Sequence, residues 1–159
     1  NYDIVRRLAR KPNVVAIKDS SGSMVDFLHF MDGVRLEEGE MNFLTGREEM
    51  LLPCLTMGGK GCMTATAGIL PEVMVKIYQC FLSGDYERAK ELQFSILSVI
   101  RTMFTLPFPL GFKIAMGMRG FEMGPPKQPL SNKDEPQFNA IKLRLQASFQ
   151  PIIKGLEKV

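Results

Sequence analysis

A strand–loop–helix unit recurs three times in the first half of this chain, and consecutive units of that kind pair their strands in parallel. In the first unit, Val14-Val15-Ala16-Ile17 is a short apolar run, rich in β-branched residues and set just behind Pro12. It predicts a strand buried on both faces, as parallel strands are. The run gives way to the polar loop Lys18-Asp19-Ser20-Ser21-Gly22. Ser23, with Asp26 three residues on, predicts a capped helix over 24–32, whose Met24, Phe27, Leu28 and Met31 keep helical spacing. A polar connection from Gly33 to Gly39 follows. In the second unit the strand is Met41-Asn42-Phe43-Leu44. Thr45 and Glu48 then read as a capping box for a helix carrying Met50, Leu51, Cys54 and Leu55, which stops at Met57-Gly58-Gly59. The third unit predicts a strand over 61–66 and, past Ala67 to Pro71, a helix over 72–82. Before all three, 3–10 reads as a helix stopped by Lys11-Pro12-Asn13.

The second half predicts helices. Ser83-Gly84-Asp85 separates two of them, and Ala89, Leu92, Ile96, Val99 and Met103 form one face of the second. Pro107 and Pro109 bracket a break before a short helix over 110–119. Met123 to Pro129 is a stiff loop. Phe138, Ile141, Leu145, Phe149, Ile152 and Leu156 stripe a last helix crossed by Pro151, where a kink is expected. The organisation expected is therefore 1–82, the βα part, and 83–159, a helical region.

Composition narrows the function classes. A net charge of +3 from 20 basic and 17 acidic residues, with no long basic run, does not suit a nucleic-acid partner. No apolar stretch is long enough to span a membrane. The opening Asn-Tyr-Asp has neither a leader pattern nor an initiating Met, as expected of a fragment. The 3 cysteines form no CxxC pair, which predicts a reducing, cytoplasmic setting. The lone histidine, His29, reads as a packing or surface residue in mid-helix and excludes multi-histidine metal sites. The 11 methionines are mostly core filler on helix faces. Met63 is set apart by its place on the third strand.

Lys18 is the first candidate for chemistry. It stands at the carboxyl end of an apolar strand, the rim where βα barrels carry their active sites. A partly desolvated lysine there is a nucleophile toward carbonyls. The bland reading has Lys18 solvated and paired with Asp19, which would raise its pKa and quench it. Gly46, ahead of a helix N-terminus, offers backbone N–H groups to a carboxylate or phosphate, or is simply a tight turn. Glu48 and Glu49 are either a carboxylate pair or two first-turn acids complementing the helix dipole. Gly58-Gly59-Lys60-Gly61 is no phosphate loop, since that pattern needs glycine where Cys54 stands and Ser or Thr where Gly61 stands.

Five segments in order, VVAIKDSSG, FLTGREEMLLP, GGKGCMTATAGILPEVM, LPFPLGFKIAMGMRG and GPPKQPLS, resemble the carboxyl-terminal half of the dihydrodipicolinate synthase / N-acetylneuraminate lyase family. The resemblance spans nearly the whole chain. It implies α/β architecture: the last three βα units of a (β/α)8 TIM barrel followed by a carboxyl-terminal helical region, in a protein that is usually a homotetramer. It implies a lyase or aldolase that holds pyruvate, or a 2-keto acid, as a Schiff base. Lys18 matches the Schiff-base lysine. Gly46 matches the glycine of the turn after strand seven, near the pyruvate, and Met63 the residue of strand eight beside it. Glu48 and Glu49 match acidic positions of that turn, which in the sugar-acid lyases help hold substrate hydroxyls. The segment KDSSG stands where KEATG-like sequences are common, Gly68 where asparagine is frequent, and Arg47 where an acidic residue is frequent.

The resemblance further implies that strands one to five, with a threonine pair and a proton-relaying tyrosine, belong to a missing amino-terminal half. Tyr2, Tyr78 and Tyr86 do not match that tyrosine. No metal or organic cofactor is implied. Three parallel strands leave open edges, so these residues are not expected to close a barrel or to turn over substrate alone. The sequence leaves the aldehyde open among aspartate semialdehyde, N-acetylmannosamine and short sugar aldehydes, and leaves the direction open too. Two alternatives compete: a non-catalytic assembly module of the same family, and an unrelated doubly wound α/β domain using Gly46 as a phosphate turn, for which GxGxxG is lacking.

Overall fold

The computed structural model describes residues 1–127, 129–132 and 134–156, without the side chains of Glu135 and Leu156. Gln128 of the stiff loop, the side chain of the last stripe residue Leu156 and residues 157–159 of the helical region thus lie outside the described residues. Helix α1 (Tyr2–Ala9) leads to strand β1 (Ala16–Asp19), helix α2 (Met24–Leu36), strand β2 (Asn42–Thr45), a 3₁₀ turn (Glu48–Met50) and helix α3 (Leu51–Thr56). Strand β3 (Gly61–Cys62) is followed by α4 (Thr66–Ile69), α5 (Pro71–Leu82), α6 (Tyr86–Met103), α7 (Leu110–Met118) and α8 (Asp134–Leu156).

The three strands pair in parallel in the order β1-β2-β3. The sheet is open, as expected for part of a barrel. Register sorts its side chains. Lys18 pairs with Leu44 and Leu44 with Gly61, while Asp19 pairs with Thr45 and Thr45 with Cys62. Because side chains alternate along a strand, Ala16, Lys18, Asn42, Leu44 and Gly61 share one face. Met63 continues it, its N–H still donating to the Thr45 carbonyl at 2.9 Å. The opposite face carries Phe43 and Thr45, both buried, and packs with Val5, Phe27, Val34 and Cys54 beneath the helices.

Burial of β1 on both faces is therefore corrected. Val15, Ala16 and Lys18 are exposed, because helices cover only one side of the sheet. The third strand is also shorter than expected: only Gly61 and Cys62 pair, and the chain turns into α4 by Thr66. Helix α2 runs beyond 32 to Leu36, through Gly33. At Gly33 helix α1 packs directly on the backbone, since a Cβ there would lie 2.7 Å from the Tyr2 ring. Beyond it, Glu37 accepts hydrogen bonds from Arg6 Nε at 2.7 Å and Arg10 Nε at 2.6 Å, tying α1 to the end of α2. The bonds from Arg10 and Arg6 hold the Glu37 carboxyl below its ordinary range. The Ser23 cap forms as read, its Oγ accepting from the Asp26 N–H at 3.1 Å.

A larger core runs from Leu51 and Leu55 through Ile69, Leu70, Val73 and Ile77 of the barrel part into Ile96, Ile100, Phe112, Leu145 and Phe149. It joins α3 and α5 to α6, α7 and α8 without a break. Helix α8 runs through Pro151 as one element. No helix among the described residues is long and apolar enough to cross a membrane.

Candidate functional site

Lys18 stands on the bare face of the sheet, one residue before β1 ends. Alternation sends the Asp19 side chain to the other face. Its carboxylate is taken by Ser21, whose N–H donates at 3.0 Å and whose Oγ donates at 2.8 Å. The loop after β1 is thus closed by Asp19, and the pairing of Asp19 with Lys18 is not what holds the lysine. The side chain of Lys18 leans instead toward the turn after β2. A Cβ on Gly46 would lie 2.7 Å from Lys18 Cε and 1.9 Å from Ser20 Oγ. The Gly46 N–H donates to the Asp19 carbonyl at 2.6 Å, so the two rim loops are fastened directly. Gly46 is needed for the space its missing side chain leaves; its φ lies outside the left-handed region.

Met63 is exposed on the same face, past the end of β3. The structure thus sets Lys18 against Gly46, with Ser20 as a neighbour that sequence reasoning missed, and places Met63 on the same face, two strands from Lys18. The partial desolvation expected of Lys18 is not found in this chain, where the residue is exposed. The reason is geometric: nothing among the described residues covers the inner face of the sheet.

Glu48 and Glu49 are directed elsewhere. The Thr45–Glu48 capping box does not form. Thr45 Oγ1 accepts from the Arg47 N–H at 3.0 Å, a tight local turn. Glu48 is buried, and its Oε1 accepts from the Thr66 N–H at 3.2 Å and Thr66 Oγ1 at 3.0 Å. A partner 18 residues away has outcompeted the local one. Glu49 lines a groove between α2, α3 and α6 with Met24, Leu28 and Phe94, and lies 3.6 Å from Arg47. The Arg47 guanidinium sits over the Phe104 ring, 4.9 Å from its centroid. Cys62 is partly buried on the helix side of the sheet, and burial pushes its thiol above the ordinary cysteine range. His29 is exposed.

A parallel sheet with helices on one side, a lysine at a strand's carboxyl end on the other, and a glycine turn against that lysine define a segment of a (β/α)8 barrel with a rim site. The sequence model of the Dihydrodipicolinate synthetase family matches residues 1–148, and the chain belongs to that family. It is 33% identical over 143 residues to a 4-hydroxy-tetrahydrodipicolinate synthase of Caldicellulosiruptor bescii, covering 90% of this chain and 47% of the relative. It is 35% identical over 133 residues to the protein of the same name from Methanoculleus marisnigri, covering 84% and 45%. Among solved structures, a prophage protein of the dihydrodipicolinic acid synthase family from E. coli K12, in complex with pyruvate, superimposes with a TM-score of 0.77 at 24% identity. It covers 93% of this chain and 51% of that protein, and it supports the fold alone. The chain spans about half the length of the curated relatives it matches.

Proposed function

We propose that this chain supplies the carboxyl-terminal half of a Schiff-base aldolase, a 4-hydroxy-tetrahydrodipicolinate synthase-like enzyme, with Lys18 as its nucleophile. The observation that carries the reading is the approach of Lys18 to Gly46 on the uncovered face of a parallel sheet. On this reading 1–82 forms the rim and its strands, and 83–159 forms the helical region that backs it. An amino-terminal half supplies the remaining strands, covers the inner face and desolvates the amine. Desolvation favours the neutral, nucleophilic form of the lysine.

The Lys18 amine attacks the keto carbon of pyruvate to give a carbinolamine, and water leaves as the iminium forms. The iminium draws the electron pair of a methyl C–H bond as a base removes the proton, leaving an enamine. The enamine carbon bonds to an aldehyde carbon, whose oxygen takes up a proton. Water then attacks the new iminium and frees the amine. Gly46 and Met63 border the pyruvate, the glycine giving the Lys18 side chain room and the methionine an apolar wall. The names of the curated relatives favour the synthase over the sugar-acid lyase, and so does the engagement of Glu48 by Thr66, which takes that carboxylate away from substrate hydroxyls. The complete enzyme is proposed to be a cytoplasmic homo-oligomer.

The test is pyruvate consumption by the complete barrel with aspartate semialdehyde, N-acetylmannosamine and short sugar aldehydes offered in turn. Aspartate semialdehyde is expected to support turnover at least about tenfold above the others, the discrimination open to a site that hydrogen-bonds its substrate. Turnover with no aldehyde would contradict the reading.

A further inference from the structure

We infer that Gln93, on α6 of the helical region, is a positioning residue for the pyruvate end of the site, acting with Glu48 and Thr66; the inference rests on the aldolase reading above. Gln93 is only 6% exposed, at the margin of the apolar face of α6. A buried amide is costly unless it is hydrogen-bonded. Its Nε2 donates to the Glu48 carbonyl at 3.1 Å, and its Oε1 accepts from the Leu52 N–H at 3.1 Å. Those two backbone groups are four residues apart, the acceptor and donor that one α-helical turn would join. The Gln93 amide is inserted between them. In its place Leu51 N–H bonds back to Glu48, keeping residues Glu48–Met50 a tight 3₁₀ turn. Pro53 has no N–H to give to Glu49, so the sequence itself weakens a regular helical start here.

The consequence reaches the rim. The turn held by Gln93 begins two residues after Gly46, whose backbone meets Lys18 and Ser20. The side chain of the same Glu48 fastens Thr66, three residues after Met63. One buried glutamate thus joins the loops after β2 and β3, and Gln93 anchors that glutamate's backbone to α6. Glu48 is assigned to holding the rim together rather than to holding substrate hydroxyls.

The experiment compares the complete enzyme with its Gln93→Leu, Thr66→Val and Thr66→Ser variants, measuring pyruvate trapping by borohydride, KM for pyruvate, kcat and Tm. Loss of the two Gln93 amide hydrogen bonds, or of the one from the Thr66 hydroxyl, is expected to raise KM for pyruvate roughly tenfold in Gln93→Leu and Thr66→Val. Thr66→Ser keeps the hydroxyl and restores the parent KM. A lower Tm or a smaller active fraction, with KM for pyruvate unchanged in both disruptive variants, would overturn the inference while leaving the aldolase reading intact. If Gln93→Leu does not fold, Thr66→Val against Thr66→Ser decides. Absence of trapping in the unsubstituted enzyme would remove the aldolase reading, and the inference with it.

Discussion

Gly46→Ala is expected to lower the rate of imine formation with pyruvate by about 100-fold, the cost of misplacing a reacting group by about an ångström. The added methyl would meet Ser20 Oγ at 1.9 Å and Lys18 Cε at 2.7 Å. Those two atoms can swing away and alanine suits the local backbone, but Ser20 Cβ, 2.8 Å from the added methyl, moves only with the loop that carries it. The fold should survive with that loop displaced, at a stability loss of about 1–3 kcal/mol. What cannot survive is the placement of the lysine, whose Cε must leave the turn. Single-turnover trapping of pyruvate alongside a denaturation curve separates the two effects. Parent-like trapping rates in a stable Gly46→Ala enzyme would mean that Lys18 does not work against this turn.

Gly111→Ala should do the reverse, damaging the fold rather than the placement of Lys18. Gly111 lies buried on α7 where that helix crosses the end of α6, and a Cβ there would stand 2.0 Å from the Met103 carbonyl oxygen and 2.7 Å from its Cα. These are backbone atoms of a helix whose Ile96, Val99, Ile100 and Met103 are fully buried, so neither helix can yield cheaply. Overpacking of this kind costs typically about 1–3 kcal/mol, and a backbone clash belongs at or above the upper end. Against a total stability of about 5–15 kcal/mol, a loss of about 3 kcal/mol is a large fraction. Urea denaturation at matched pH measures it. A loss below about 1 kcal/mol would show that α6 and α7 are not held at the separation described here.

The contrast between those two glycines shows what the sequence discloses. The three βα units were legible because apolar runs, turn residues and the Ser23 cap are local signals, and the structure needs only local groups to honour them. Lys18 and Gly46 were legible as rim positions for the same reason. Glu48 was misread because its capping-box spacing is a true local option, but burial places the carboxylate within reach of two Thr66 donors, and a long-range pair leaves no periodic mark. Gln93 left only a faint one, a polar residue beside Leu92 at the margin of an apolar face. The extension of α2 through Gly33 was hidden likewise, since glycine reads as a break until α1 and the Tyr2 ring are seen against it. The exposure of β1 has another origin. Its apolar run fits a strand covered on both sides, and the helices here cover only one.

The most direct measurement is reductive trapping. The complete enzyme is incubated with pyruvate and borohydride, digested, and its peptides weighed. The reduced pyruvyl adduct is expected on the peptide bearing Lys18, and is expected to disappear in Lys18→Ala. An adduct on another lysine, such as Lys60 or Lys113, or an unmodified Lys18 in an enzyme that still consumes pyruvate, would contradict the Lys18 assignment.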